Sequence, residues 1–210
     1  MSRARVVAAL VGVLLAAPAA ALELALPSTA RLTAERNTAP DRYAAPVGVY
    51  AEGQVARVNV DGDLRLAAWR MDTPGLTALQ VMRPLRRQLE EAGFDIVLDC
   101  AARECGGFDF RFAIEVLPGP NMYVNLRAFH FITALRRGED GTPTEAISIL
   151  ASTAATSAYV QIIQARSGDA AEGDSPPVTP AATGEVPLAS ATGDFAATLK
   201  TEGHKVLNRL

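Results

Sequence analysis

Val55-Ala56-Arg57-Val58-Asn59-Val60, Asp61-Gly62-Asp63 and Leu64-Arg65-Leu66-Ala67-Ala68-Trp69 follow one another without a break. Two runs that alternate apolar and polar residues flank a cluster of turn residues, which is the pattern of a β-hairpin. A three-residue loop at 61–63 opposes Val60 to Leu64 and Val58 to Leu66. That gathers the apolar side chains on one face, so the longer loop is preferred over a two-residue one.

Downstream, Thr73-Pro74-Gly75 is a turn and the period changes. Leu79, Met82, Leu85 and Leu89 recur at helical spacing over 76–92, with Arg83, Arg86, Arg87, Glu90 and Glu91 for the wet face. Gly93 is placed to stop the helix. Pro84 interrupts it, so Leu85–Ala92 is its firm part. Strands are expected again over 94–100, 108–117, 122–136, 145–152 and 157–165, the last two as a hairpin. Upstream, residues 22–50 carry Pro27, Pro40 and Pro46. They read as extended coil with one short strand over 30–36. One helix among consecutive strands gives an α+β class: an antiparallel sheet with one main helix packed on one face.

At the start, Arg3 and Arg5 precede an apolar run from Val6 to Ala17, then Pro18 and Ala19-Ala20-Ala21. This is the order of a secretory signal peptide, residues 1–21, cleaved before Leu22. The run is short for a membrane span. The globular domain is then 22–166. Residues 167–193 are a Pro/Ala-rich linker with Pro176, Pro177, Pro180 and Pro187. Asp194 can cap a short helix over 194–210. The full chain of 210 residues is 49% hydrophobic and 20% charged, with net charge −3. That composition excludes a wholly disordered chain, and the charge disfavours a nucleic-acid partner.

Cys100 and Cys105 are the two cysteines, with four residues between them. In a secreted chain this pair reads as a structural disulfide; the gap and the strand setting do not suit a redox pair. His130, between Phe129 and Phe131, reads as a half-buried sheet histidine rather than a catalytic one. His204 has no partner in view. Asp95 and Asp99 share a strand face by parity but stand too far apart for a direct acid pair. Asp61 and Asp63 lack the alternating oxygens of a calcium loop and read as a solvated turn. Arg111, Arg127, Arg136 and Arg137 could make a basic patch on the sheet, but the default reading is a charged outer face. Trp69 and Tyr123 read as sheet packing. No catalytic, cofactor-binding or metal-binding residue is assigned, and no cofactor is expected.

The run Leu85-Arg86-Arg87-Gln88-Leu89-Glu90-Glu91-Ala92-Gly93-Phe94-Asp95-Ile96-Val97-Leu98-Asp99-Cys100, with Cys105-Gly106-Gly107-Phe108-Asp109-Phe110-Arg111-Phe112, carries a resemblance. It resembles the periplasmic N-terminal region of a group of OmpA-family proteins from Gram-negative bacteria, over about residues 22–166. In that group a Pro-rich linker leads to a C-terminal peptidoglycan-binding domain. The segment 194–210 looks like the lead-in to that domain, whose binding residues have no counterpart here. The resemblance implies a non-enzymatic cell-envelope interaction or spacing module, located in the periplasm and associated with the outer membrane or cell wall. Its expected partner is an envelope protein or cell-wall component, and cell-wall attachment is expected only through a C-terminal domain beyond Leu210. The alternative is a small-ligand or peptide-binding domain that uses the Arg and aromatic row from Phe108 to Phe131 on the sheet face.

Overall fold

The computed structural model describes residues 22–168. The signal peptide expected at 1–21, nearly all of the linker and the helix at 194–210, with His204, lie outside the described residues.

Six strands form one antiparallel sheet in the order β1-β2-β6-β5-β4-β3. They are β1 (Ala30–Ala51), β2 (Gln54–Met71), β3 (Asp95–Ala101), β4 (Phe129–Arg137), β5 (Pro143–Thr153) and β6 (Ala158–Arg166). Three helices interrupt them: α1 (Ala78–Glu91), α2 (Ala102–Cys105) and α3 (Gly107–Ala113). Strands take 52% of the described residues and helices 17%. The expected α+β sheet with one main helix on one face is therefore corrected to a mostly-β fold with small helices. Two misread segments account for the difference.

The first is the opening hairpin. Val55 to Trp69 is not a hairpin but one continuous strand, β2, and its partner β1 runs through the segment expected to be coil. The chain reverses at Glu52-Gly53, between the paired residues Ala51 and Gln54. Pro40 and Pro46 are tolerated because β1 is an edge strand, so their missing N–H groups leave no ladder bond unmade. Gly62 serves the interior of a strand. Its φ is 151°, and a Cβ there would stand 2.0 Å from the Arg166 carbonyl oxygen. Glycine here marks a close backbone approach rather than a turn. The second is residues 102–117, expected as loop and strand, which form α2, α3 and coil. The strand expected at 122–136 starts only at Phe129. The β5–β6 pairing agrees with expectation, Ser152 opposing Tyr159 and Ala146 opposing Ala165.

Both faces of the sheet are covered. On the first, Val81, Met82, Leu85 and Leu89 of α1 share a buried cluster with Ile132, Ile147, Ile149 and Ile162. Leu22, Leu24 and Leu26 of an extended strap join that cluster. Thr77 and Gln80 form a capping box at the start of α1, which continues past Pro84. Leu79 is exposed, so the buried stripe is Ala78, Val81, Met82, Leu85 and Leu89. On the second face the long β1–β2 hairpin folds back over the sheet. Tyr43, Ala45 and Val60 pack on Leu66, Leu135, Ala146 and Ile163. Beyond them, Val55 joins Cys105, Phe110, Phe129, Phe131 and Leu150.

Candidate functional site

Cys100, the penultimate residue of β3, is bonded to Cys105 at the end of α2, with an S–S distance of 2.03 Å. Both cysteines are buried. Gly106 then reverses the chain at φ 116°, and a Cβ there would stand 2.5 Å from the Cβ of Tyr50. The turn is thus pinned by a covalent bond and pressed against β1. From it α3 starts, and its side chains divide sharply. Phe110 is fully buried, 5.1 Å from the Phe131 ring and 6.4 Å from the Phe129 ring. Phe108 and Phe112, two residues to either side, are 60% and 66% exposed. Their rings lie 4.5 Å apart, one helical turn from each other. Arg111 lies 5.3 Å over the Phe112 ring, and burial draws its guanidinium pKa below the ordinary value. Arg57 holds the end of α3 by donating to the Ala113 carbonyl at 2.6 Å.

Two large aromatic side chains held in water on a covalently braced turn are the candidate site. Exposed apolar patches of this kind mark interaction surfaces more often than scattered single residues do. The sequence reading placed these phenylalanines on a strand. The signal available to it was the i, i+4 spacing of Phe108 and Phe112 after Gly106-Gly107.

The other expected candidates are distributed as follows. His130 is buried on β4, and its Nε2 lies 2.5 Å from Oδ1 of Asp99. Arg86 of α1 reaches the other Asp99 oxygen at 3.3 Å and Glu90 at the same distance. A bulge between Ile96 and Leu98 shifts the register, so Asp95 opposes Leu135 while Asp99 opposes Ile132. The two aspartates therefore face opposite sides of the sheet, contrary to the parity expectation. Asp61 belongs to a strand and pairs with Arg42 at 2.6 Å, and Asp63 lies in the same strand, so neither makes a turn.

The four arginines do not line one sheet face. Arg111 is on α3 and Arg127 in a turn, while Arg136 stacks 4.2 Å from the Phe94 ring and donates to Glu145 and to the Ala92 carbonyl. Arg137 donates to the Gly141 carbonyl. Phe129 and Phe131 are buried, so the sheet-face ligand row is also corrected. Trp69 packs half-buried against the α1 cluster; Tyr123 is exposed and leans on Tyr159 at 5.8 Å. Among the described residues no group of three metal-ligating side chains converges. No helix of the described residues is long and apolar enough to cross a membrane.

A cleft of about 430 Å³ lies at the bend where β1 and β2 turn over the sheet. Leu22, Leu64, Ile147 and Ala165 give it an apolar floor, and Asp63, Arg65, Glu145 and Arg166 lie around it. Comparison with protein-family models and with curated proteins finds no match for this chain.

Proposed function

We propose that the chain is a non-enzymatic interaction module of the bacterial cell envelope that grips a protein partner through the Phe108–Phe112 patch. The observation that carries this reading is the mounting of α3: one phenylalanine anchors the helix in the core, and two are held outward on a disulfide-braced turn. Rigid aromatic anchors lose little conformational freedom on binding and supply most of the energy of a protein interface. The charges on α2 and α3 balance: Arg103 and Arg111 stand against Glu104 and Asp109. A polyanion or an anionic lipid surface would favour a net positive face. An apolar centre with a mixed rim suits a folded protein. The signal-like segment before Leu22, the disulfide and the resemblance to OmpA-family periplasmic regions support the envelope as the compartment.

The test places a photo-crosslinking residue at Phe112 and, as control, at exposed Leu32 in cells that export the chain. The expected result is a discrete adduct with one envelope protein from position 112 and none from position 32. When that protein is purified, Phe112→Ala weakens the complex at least about tenfold. Absence of the chain from the envelope fractions, or equal labelling from both positions, overturns the reading.

A further inference from the structure

We propose that the cleft at the bend of the sheet is the seat of the chain's own processed amino terminus, where Asp63 and Glu145 hold the α-ammonium of Leu22. The compartment part of this inference rests on the export reading above; the seat itself rests on geometry.

Residues 22–27 form a strap that is bound specifically along its length. Leu22, Leu24 and Leu26 face the core, as alternation requires of an extended segment. The Ala25 N–H donates to Oε1 of Gln88 at 2.7 Å, and Nε2 of Gln88 donates back to the Ala25 carbonyl at 3.1 Å. Nε2 of Gln164 donates to the Leu22 carbonyl at 2.7 Å. That last bond fixes Leu22 in the cleft wall. One step along the ladders from Gln164 lies the row Asp63, Arg166 and Glu145, each opposite the next. Two residues of strand span about 7 Å, so this row is the next layer out from Leu22.

Hydrolysis of the Ala21–Leu22 peptide bond adds one water. The C–N bond breaks, Ala21 leaves as a carboxylate, and Leu22 keeps the nitrogen as an ammonium. Among the described residues, the charged groups around the seat come from the strap, β1, β2, β4, β5 and β6. Arg65 of β2 is already paired with Glu35 of β1 at 2.7 Å and Glu23 of the strap at 3.1 Å. Glu145 of β5 lies 2.7 Å from Arg136 of β4 and 3.9 Å from Arg166 of β6. Asp63 makes no ion pair with a described residue. Asp63 and Glu145 thus bring two carboxylates to the wall of the cleft that Leu22 also lines. An uncleaved chain carries a neutral amide at that point and an extra residue to accommodate.

The experiment compares two forms: residues 22–210 beginning at Leu22, and residues 20–210 beginning at Ala20. At pH 6.5 the Leu22 form is expected to melt about 2–4 °C higher. An α-amine held by carboxylates titrates above its ordinary range of about 7.7–8.0. Its contribution is full below that range and disappears as pH rises through the raised value. The gap should therefore close by about pH 10. Asp63→Asn should close it at pH 6.5 in the Leu22 form and leave the Ala20 form unchanged. Equal melting at pH 6.5 overturns the seat, and so does a gap that persists at pH 10, which steric crowding would give. Intact mass of the exported chain tests the processing position separately: a terminus other than Leu22 refutes the export site whatever the two melting curves show.

Discussion

Asp99 on β3 and His130 on β4 are joined by a 2.5 Å contact across the ladder, and Arg86 of α1 closes on the same carboxylate. The Arg86 contact ties α1 to the strand pair at the sheet edge. His130 is mostly buried, and its Nε2 loses its protein partner once Asp99 is gone. Asp99→Ala is therefore expected to cost about 1–3 kcal/mol, the cost of an orphaned buried polar atom. His130→Phe, which removes the orphan too, should cost less than Asp99→Ala. Urea denaturation of both variants checks the order; an equal or reversed order removes the argument.

Gly62 is expected to be the least tolerant residue of β2. Gly62→Ala would put a methyl carbon 2.0 Å from the Arg166 carbonyl oxygen, in a backbone conformation that L-residues avoid. The expected loss is more than about 3 kcal/mol, seen as a low melting temperature or failure to accumulate in soluble form. Gly53→Asn, at the solvent-exposed hairpin turn, is the contrasting substitution, because a left-handed turn position tolerates Asn.

Replacing Cys100 and Cys105 together by Ala should lower stability by about 2 kcal/mol, the loop-closure value for so short a ring. Its second effect is local. With the brace gone, α2 and α3 should become the first segment cut in limited proteolysis, near Gly106-Gly107, before any strand is cut. Cleavage elsewhere first would show that the disulfide does not hold the patch.

Tyr43 is buried under the folded-back hairpin, and burial pushes its phenol pKa far above the ordinary value of about 10. An acid whose pKa is raised by folding adds stability that is full below the unfolded value and falls as pH climbs beyond it. Wild-type stability should therefore drop above about pH 10, and Tyr43→Phe should flatten that drop. Chemical denaturation at pH 8 and at pH 10.5, followed by tryptophan fluorescence from Trp69, measures both slopes.

The strands that were legible in the sequence are those whose pattern and setting agree. Glu145–Ser152 and Ser157–Ala165 alternate or run apolar between turn residues, and they pair as expected. The helix was legible from Met82, Leu85 and Leu89, although Leu79 fits the same period and is exposed. What failed were positions where a local signal has two meanings. Asp61-Gly62-Asp63 is good turn chemistry, yet Gly62 is needed for a crossing backbone that only the fold supplies. Pro40 and Pro46 argue against a strand unless it lies at an edge, and edge position is not written locally. The bulge at Val97 inverted the facing of Asp95 and Asp99, since one inserted residue exchanges the two faces of a strand. The aromatic patch was hidden because Phe108, Phe110 and Phe112 alternate as a strand would and are helical instead.

The position of the cleft relative to α3 sets a lever. Phe129, at one end of β4, lies beneath the aromatic patch, and Arg136, near the other, holds Glu145 at the cleft. The nine residues of β4 span about 26 Å. Leu22 and Arg166, near the two ends of the described residues, are both at the cleft end. Under the proposed function, a partner docked on Phe108 and Phe112 would be held about a full strand length from that end. Tension between the two would run lengthwise along antiparallel strands, a direction in which many inter-strand hydrogen bonds are loaded together in shear.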